Sequence, residues 1–212
     1  RCSRDWSSDV CSSDLDEAAR LKSVLIEQGA WSQYLEVGIG PDAEIFTKAQ
    51  PMAAVGTLMD AGIHPGSSWN NPEPEVVLLI ASTGAIVGAT LGNDVNLRDV
   101  EGRSALLLSK AKDNNASCAI GPFARFFDAG FGLDDVRTTT VSLRVEGEDQ
   151  FVLQGASSIA QISRDPADLA AQMVNAHHRY PDGAALFLGT MFAPIEDRGA
   201  PGQGFTHMIG DI

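Results

Sequence analysis

Between Val76 and Val95 the chain is apolar almost without interruption, broken at Ser82-Thr83-Gly84. The runs 76–80 and 85–95 lack the polar alternation of a strand with one wet face, so they predict two strands covered on both faces. Thr83-Gly84 between them reads as a two-residue hairpin turn. Further on, 141–145 and 151–153 flank Glu146-Gly147-Glu148-Asp149 and predict a second hairpin. Helical spacing occurs twice. Leu21, Val24, Leu25 and Gln28 share one side of a helix over 16–28, which Gly29 can end. Asp165-Pro166 opens a second helix with the buried stripe Leu169, Met173 and Val174. Tyr180-Pro181-Asp182-Gly183 then turns into a strand over 184–189, whereas 38–66, punctuated by Gly-Pro and His-Pro, predicts loops. The class expected is α+β with strands dominant.

At 212 residues the chain suits one large domain and can bury a core without a metal or disulfide staple. No apolar run approaches the ~18 residues of a membrane span. A formal charge of -13 repels phosphate backbones, so neither a membrane nor a nucleic acid is expected as partner. Residues 1–15 hold the near-repeat Ser7-Ser8-Asp9-Val10-Cys11 and Ser12-Ser13-Asp14-Leu15, have no structural period, and read as a non-native scar. Setting them aside removes Cys2 and Cys11 and leaves Cys118 alone, which points to a reducing, cytoplasmic setting. Residues 16–33 read as the end of an N-terminal region. The stop at Gly210-Asp211-Ile212, at a strand start, suggests a fragment truncated at its C-terminus.

The chemistry concentrates at Asn70-Asn71-Pro72-Glu73-Pro74-Glu75, which runs directly into the first apolar strand. Side chains two apart on a strand share a face, so Glu73 and Glu75 project together, their backbones roughly 7 Å apart. Pro74 cannot donate to a ladder and marks a strand end or edge. A two-residue turn at Thr83-Gly84 makes paired residue numbers sum to 167, which sets Glu73 opposite Asp94. Three carboxylates beside an apolar hairpin repel one another unless a cation neutralises them. Oxygen-only ligation suits Mg²⁺, Mn²⁺ or Ca²⁺ rather than Zn²⁺. The alternative is three solvated side chains at a strand end, and a bulge near Gly88 or Gly92 would break the register.

Lys112 and Arg98 could complete such a site, although each could equally be a surface ion pair. His177-His178 reads as a helix C-terminal cation site, because adjacent helical residues do not face the same way. Gly38-Ile39-Gly40 lacks the third glycine of a dinucleotide loop. Cys118, with no nearby histidine, reads as a packed thiol.

Taken in order, Asn71-Pro72-Glu73-Pro74-Glu75, Gly92-Asn93-Asp94-Val95-Asn96-Leu97-Arg98-Asp99, Lys110-Ala111-Lys112, Gly121-Pro122, Pro181-Asp182-Gly183 and Leu188-Gly189-Thr190 resemble the fumarylacetoacetate hydrolase superfamily. The resemblance covers roughly 34–212 and implies a catalytic domain there, a mixed β-sandwich roll with peripheral helices that assembles as a homodimer or homotetramer. It implies that Glu73, Glu75 and Asp94 bind Mg²⁺ or a similar ion, and that Lys112 contacts substrate beside it. It also implies that Gly189 and Thr190 line a substrate carboxylate pocket. Asp42-Ala43-Glu44-Ile45-Phe46-Thr47-Lys48 resembles the segment that sets a glutamate over the site, which gives Glu44 the proton-transfer role. The superfamily's acylpyruvate hydrolases pair a histidine with a glutamate. No histidine stands between Gly38 and Lys48, and His64 lies beyond them. The pattern is closer to the branch like 2-dehydro-3-deoxy-D-arabinonate dehydratase. The expectation is a Mg²⁺-dependent dehydratase of a 2-dehydro-3-deoxy sugar acid, a small 2-oxo carboxylate. The alternatives are a C–C hydrolase of acylpyruvates or a decarboxylase on the same scaffold, and a non-catalytic metal-binding or oligomerisation remnant.

Overall fold

The computed structural model describes residues 15–212, so the expected scar lies, but for Leu15, outside the described residues. The chain opens with α1 (Leu15–Glu27), as the spacing predicts, and α2 (Gln33–Ile39), which it does not. Ser32 caps α2 by accepting from the Leu35 N–H, and α2 has no buried residue, so no apolar stripe betrays it. Glu36 joins the two helices by accepting from Lys22 Nζ (2.5 Å) and Trp31 Nε1 (2.9 Å).

The central sheet has four antiparallel strands in the order β5-β3-β2-β8, built from β2 (Pro74–Ile80), β3 (Ile86–Asp94), β5 (Cys118–Phe126) and β8 (Ala184–Phe187). Two short ribbons flank it: β1 (Asn70–Asn71) with β4 (Asn96–Leu97), and β6 (Thr140–Glu146) with β7 (Val152–Ser158). Short helices α3 (Arg98–Glu101), α4 (Leu108–Lys112) and α5 (Leu133–Arg137) link these strands. Helix α6 (Pro166–Met173) starts as predicted, Asp165 accepting from the Ala167 N–H. The result is mixed helix and sheet with a strand-rich core. Among the described residues no helix is long and apolar enough to cross a membrane.

β2 is covered on both faces. Val76, Leu78 and Ile80 join Ala89, Val141, Met173 and Leu186 in the main core, while Val77 is fully buried on the opposite face. Burial on that scale contributes roughly 1.5–3 kcal/mol per large aliphatic side chain. β3 departs from the expectation, because Val87 and Leu91 are exposed on it. β8 ends at Phe187, two residues early, since Gly189 turns out of the strand at φ +83°.

The hairpin closes differently from the two-residue turn expected. Gly84 donates to the Ala81 carbonyl and Ile80 pairs with Ile86, so three residues, 82–84, form the loop. A two-residue turn of the favoured type needs φ > 0 at both positions. β-Branched Thr83 resists that, and only Gly84 takes it, at φ +87°. A bulge then skips Val87, and from Leu79↔Gly88 to Pro74↔Asn93 the paired numbers sum to 167 after all. The two departures cancel, so the register at the carboxylate end is the expected one.

The C-terminal segment braces the second hairpin. Buried Arg198 bonds both Asp149, in its turn, and Asp211, and its guanidinium lies 5.0 Å from the Phe151 ring. Ile212 exchanges backbone hydrogen bonds with Glu146. His207 sits beside Phe205, with Nδ1 2.9 Å from Asn70 Oδ1, and burial pushes its imidazole down to about 4.

Candidate metal centre

The Asp94 N–H donates to the Glu73 carbonyl (3.1 Å), and the Glu73 N–H donates to Asn93 Oδ1 (3.0 Å). Glu73 is thereby fixed opposite Asp94 at the open end of the β2–β3 pair. One carboxylate oxygen each from Glu73, Glu75 and Asp94 lies within 4.8 Å of the others. Glu75 and Asp94 are buried, at 1% and 0% exposure, which rules out the solvated strand end.

Two ammonium groups enter the cluster. Lys112, the last residue of α4, bonds Glu73 Oε2 and lies 3.2 Å from Asp94 Oδ2. Lys48 bonds Glu75 Oε1 and lies 2.9 Å from Asp94 Oδ2. Burial alone disfavours both ammoniums, but the surrounding carboxylates outweigh it and hold both pKa values above the ordinary lysine range. Burial, reinforced by the charges of Asp94 and Glu75, pushes the Glu73 carboxyl up to about 7 against the pull of Lys112 and Lys48. The Gly189 N–H donates to Glu75 Oε2 at 2.6 Å.

A hard divalent cation fits this set. Opposed ligands around Mg²⁺ stand ~4.2 Å apart and around Ca²⁺ somewhat more, which matches the spread of the three oxygens. Asp94 Oδ1 is buried without a hydrogen bond, whereas Oδ2 faces the two ammoniums at 2.9 and 3.2 Å. A buried acceptor left so costs about 1–3 kcal/mol, more when charged, and a cation would satisfy it. With all three carboxylates ionised, the two ammoniums leave one negative charge uncompensated.

The other expected residues are distributed as follows. Glu44 is exposed, yet its carboxyl is raised above the usual range, first by partial desolvation and then by the charge of Glu101, with Lys112 opposing. Ile45, next to it in the chain, is itself exposed. Thr190 Oγ1 accepts from the Phe192 N–H (3.1 Å) beside the Gly189 contact. Arg98 does not reach the cluster, because its guanidinium lies 5.1 Å from the Trp69 ring. His177 and His178 lie past the end of α6, in a turn where both N–H groups donate to Asn175. Cys118 pairs with Asp94 in the ladder, and burial pushes its thiol up to about 12, in keeping with a packed, unreactive group.

Lys48 and Asn96 are the site residues that sequence reasoning missed. Lys48 comes from a segment without regular secondary structure, so no local period signals it, and its ammonium lies 5.7 Å from the Phe46 ring. Asn96 Nδ2 donates to Glu73 Oε1 (2.9 Å) and to Glu101 Oε2 (2.6 Å).

No protein-family model matches the chain. It is 29% identical over 161 residues to a probable 2-keto-3-deoxyxylonate dehydratase of Haloferax volcanii, covering 76% of this chain and 54% of the relative. It is 29% identical over 156 residues to the 2-dehydro-3-deoxy-D-arabinonate dehydratase of Saccharolobus solfataricus, covering 74% and 51%. A solved 2-keto-3-deoxy-D-arabinonate dehydratase, complexed with magnesium and 2,5-dioxopentanoate, superposes with a TM-score of 0.67 at 26% identity, covering 79% of this chain and 56% of that one. The resemblance read from the motifs is borne out: sequence and fold are similar to the fumarylacetoacetate hydrolase superfamily, on its dehydratase side. The chain spans about half the length of the curated relatives it matches.

Proposed function

We propose that residues 34–212 form the catalytic domain, in a β-sandwich roll, of a divalent-metal-dependent hydro-lyase acting on a 2-dehydro-3-deoxy sugar acid. The observation that carries the reading is the convergence of Glu73, Glu75 and Asp94, with Asp94 Oδ1 buried and unpartnered. The dehydratase relatives favour this reaction over acylpyruvate hydrolysis. A solved relative's complex with magnesium favours Mg²⁺ as the ion.

Glu73, Glu75 and Asp94 would hold the ion. A divalent cation bound there would withdraw electron density from a 2-oxo group and acidify the hydrogens on C3. Lys112 would balance the substrate carboxylate, with Gly189 and Thr190 lining its pocket. Glu44 would take a proton from C3, and a carboxyl raised above its ordinary range, first by partial desolvation, is a stronger base for that step. The C–H electron pair forms the new double bond as the neighbouring C4–O bond breaks. Glu44 returns the proton to the departing hydroxyl, which leaves as water. One H and one OH are lost, no carbon–carbon bond breaks, and nothing is oxidised.

The test is turnover with Mg²⁺ of 3-deoxy-2-oxo pentonates and, separately, of acylpyruvates. Sugar-acid dehydration is expected, with Glu44→Gln lowering kcat by about 10²–10⁴-fold. Turnover of acylpyruvates alone would reject the dehydratase, and full activity in Glu44→Gln would reject the assigned base.

A further inference from the structure

We propose that Glu101 is a positioning residue for the metal centre, acting through Asn96 on Glu73. The inference rests on the reading that Glu73, Glu75 and Asp94 hold a divalent cation. Asn96 is 4% exposed, and its amide nitrogen donates to Glu73 Oε1 (2.9 Å) and to Glu101 Oε2 (2.6 Å). Both amide hydrogens are therefore committed to carboxylates. Turned over, the side chain would set its oxygen against two carboxylate oxygens, so only one orientation is tolerable. Asn96 Oδ1 has no hydrogen-bond partner, which leaves the two carboxylates as the groups that hold the amide in place.

Glu73 is thereby gripped from both sides, with Oε1 on Asn96 and Oε2 on Lys112. That grip fixes the plane of the carboxylate that a cation must meet. Glu101 is itself well founded. It ends α3, whose Asp99 accepts from Ser67 Oγ (2.8 Å) and the Ser68 N–H (2.7 Å), and whose Arg98 stacks on Trp69. These contacts tie α3 to the segment leading into β1, so the helix presents Glu101 to Asn96 from a fixed base. Without Glu101, Asn96 keeps one anchor and can swing, and Glu73 loses its set orientation.

Residues that orient a metal ligand from behind typically change metal affinity by about 10–100-fold when removed. The experiment is calorimetric titration of chelator-stripped protein with Mg²⁺, with the melting temperature recorded on the same samples. Glu101→Ala is expected to weaken Mg²⁺ binding by about 10–100-fold. Glu101→Gln, whose amide oxygen still accepts from Asn96, is expected to stay within about 3-fold of the parent. A purely structural role for Glu101 would move the melting temperature and leave the affinity alone. Parental affinity in Glu101→Ala would overturn the proposal and leave the metal centre standing. A Gln variant as weak as the Ala variant would overturn the route through Asn96. A parent protein that binds no Mg²⁺ would overturn the metal centre itself, and the proposal with it.

Discussion

Replacing Lys48 by Met removes one of two ammonium groups from a cluster of three carboxylates while keeping a side chain of similar length. The apolar substitute can still pack between Phe46 and Phe187, whose rings lie 5.7 and 5.1 Å from the ammonium. What is lost is the ion pair to Glu75, whose side chain is fully buried, and the approach to Asp94 at 2.9 Å. Removing one partner of a buried pair costs about 3–5 kcal/mol, because the other charge stays buried. The lower end applies here, since Lys112 still lies 3.2 Å from Asp94 and the Gly189 N–H still serves Glu75. At roughly 2–4 °C per kcal/mol for a chain of this size, the melting temperature should fall by about 6–12 °C in the presence of chelator. Mg²⁺ should then restore more stability to the variant than to the parent, because the variant offers the ion an additional uncompensated negative charge. Saturation at ~1,000 times Kd is worth about 4 kcal/mol. The assay is thermal unfolding at pH 8 with chelator and with millimolar Mg²⁺. A Lys48→Met protein that melts within ~2 °C of the parent in chelator would refute the claim that Lys48 compensates these carboxylates.

Two further outcomes are expected. The His207 imidazole is depressed from 6.5 to about 4 by burial, so the unfolded chain binds its proton first as pH falls. Its contribution is intact above pH 6.5 and is lost progressively toward pH 4, by at most about 3 kcal/mol. Urea midpoints between pH 7 and pH 4.5 should fall more steeply in the parent than in His207→Asn, and equal slopes would exclude the effect. Self-association is also expected, since Val87, Leu91, Phe123 and Phe126 leave apolar surface on β3 and β5 that a second copy could cover. Sedimentation showing only monomer at micromolar concentration would contradict it.

The parts of the site visible in the sequence were those governed by local periodicity. Glu73 and Glu75 sit two apart at the entry to β2, and Asp94 stands where the hairpin count puts it because the longer loop and the bulge cancel, so one stretch of chain encoded their meeting. Lys48 was hidden because it arrives from a segment without regular structure, and no local rule fixes where such a segment folds back. Asn96 and Glu101 were hidden for another reason: their role is a hydrogen-bonding chain whose members look, in isolation, like ordinary polar surface. α2 escaped because a helix with no buried face leaves no apolar stripe to read. Arg98 stands away from the cluster although it lies close to Asp94 in sequence, because α3 turns it toward Trp69.

The three-residue loop and the Val87 bulge together leave Glu73 facing the same partner as a two-residue turn without a bulge would. The tip of the hairpin is therefore free to drift. A Thr83→Asn substitution, more tolerant of positive φ, could let the shorter turn form and the bulge iron out, and Asp94 would still stand opposite Glu73. Neutral variation at Ser82 and Thr83 is insulated from the metal centre, which lies roughly 23 Å away along the strand. An inherited change that altered only one of the two irregularities would instead slide β3 by one residue, turn Asp94 to the other face of the sheet, and meet selection at once.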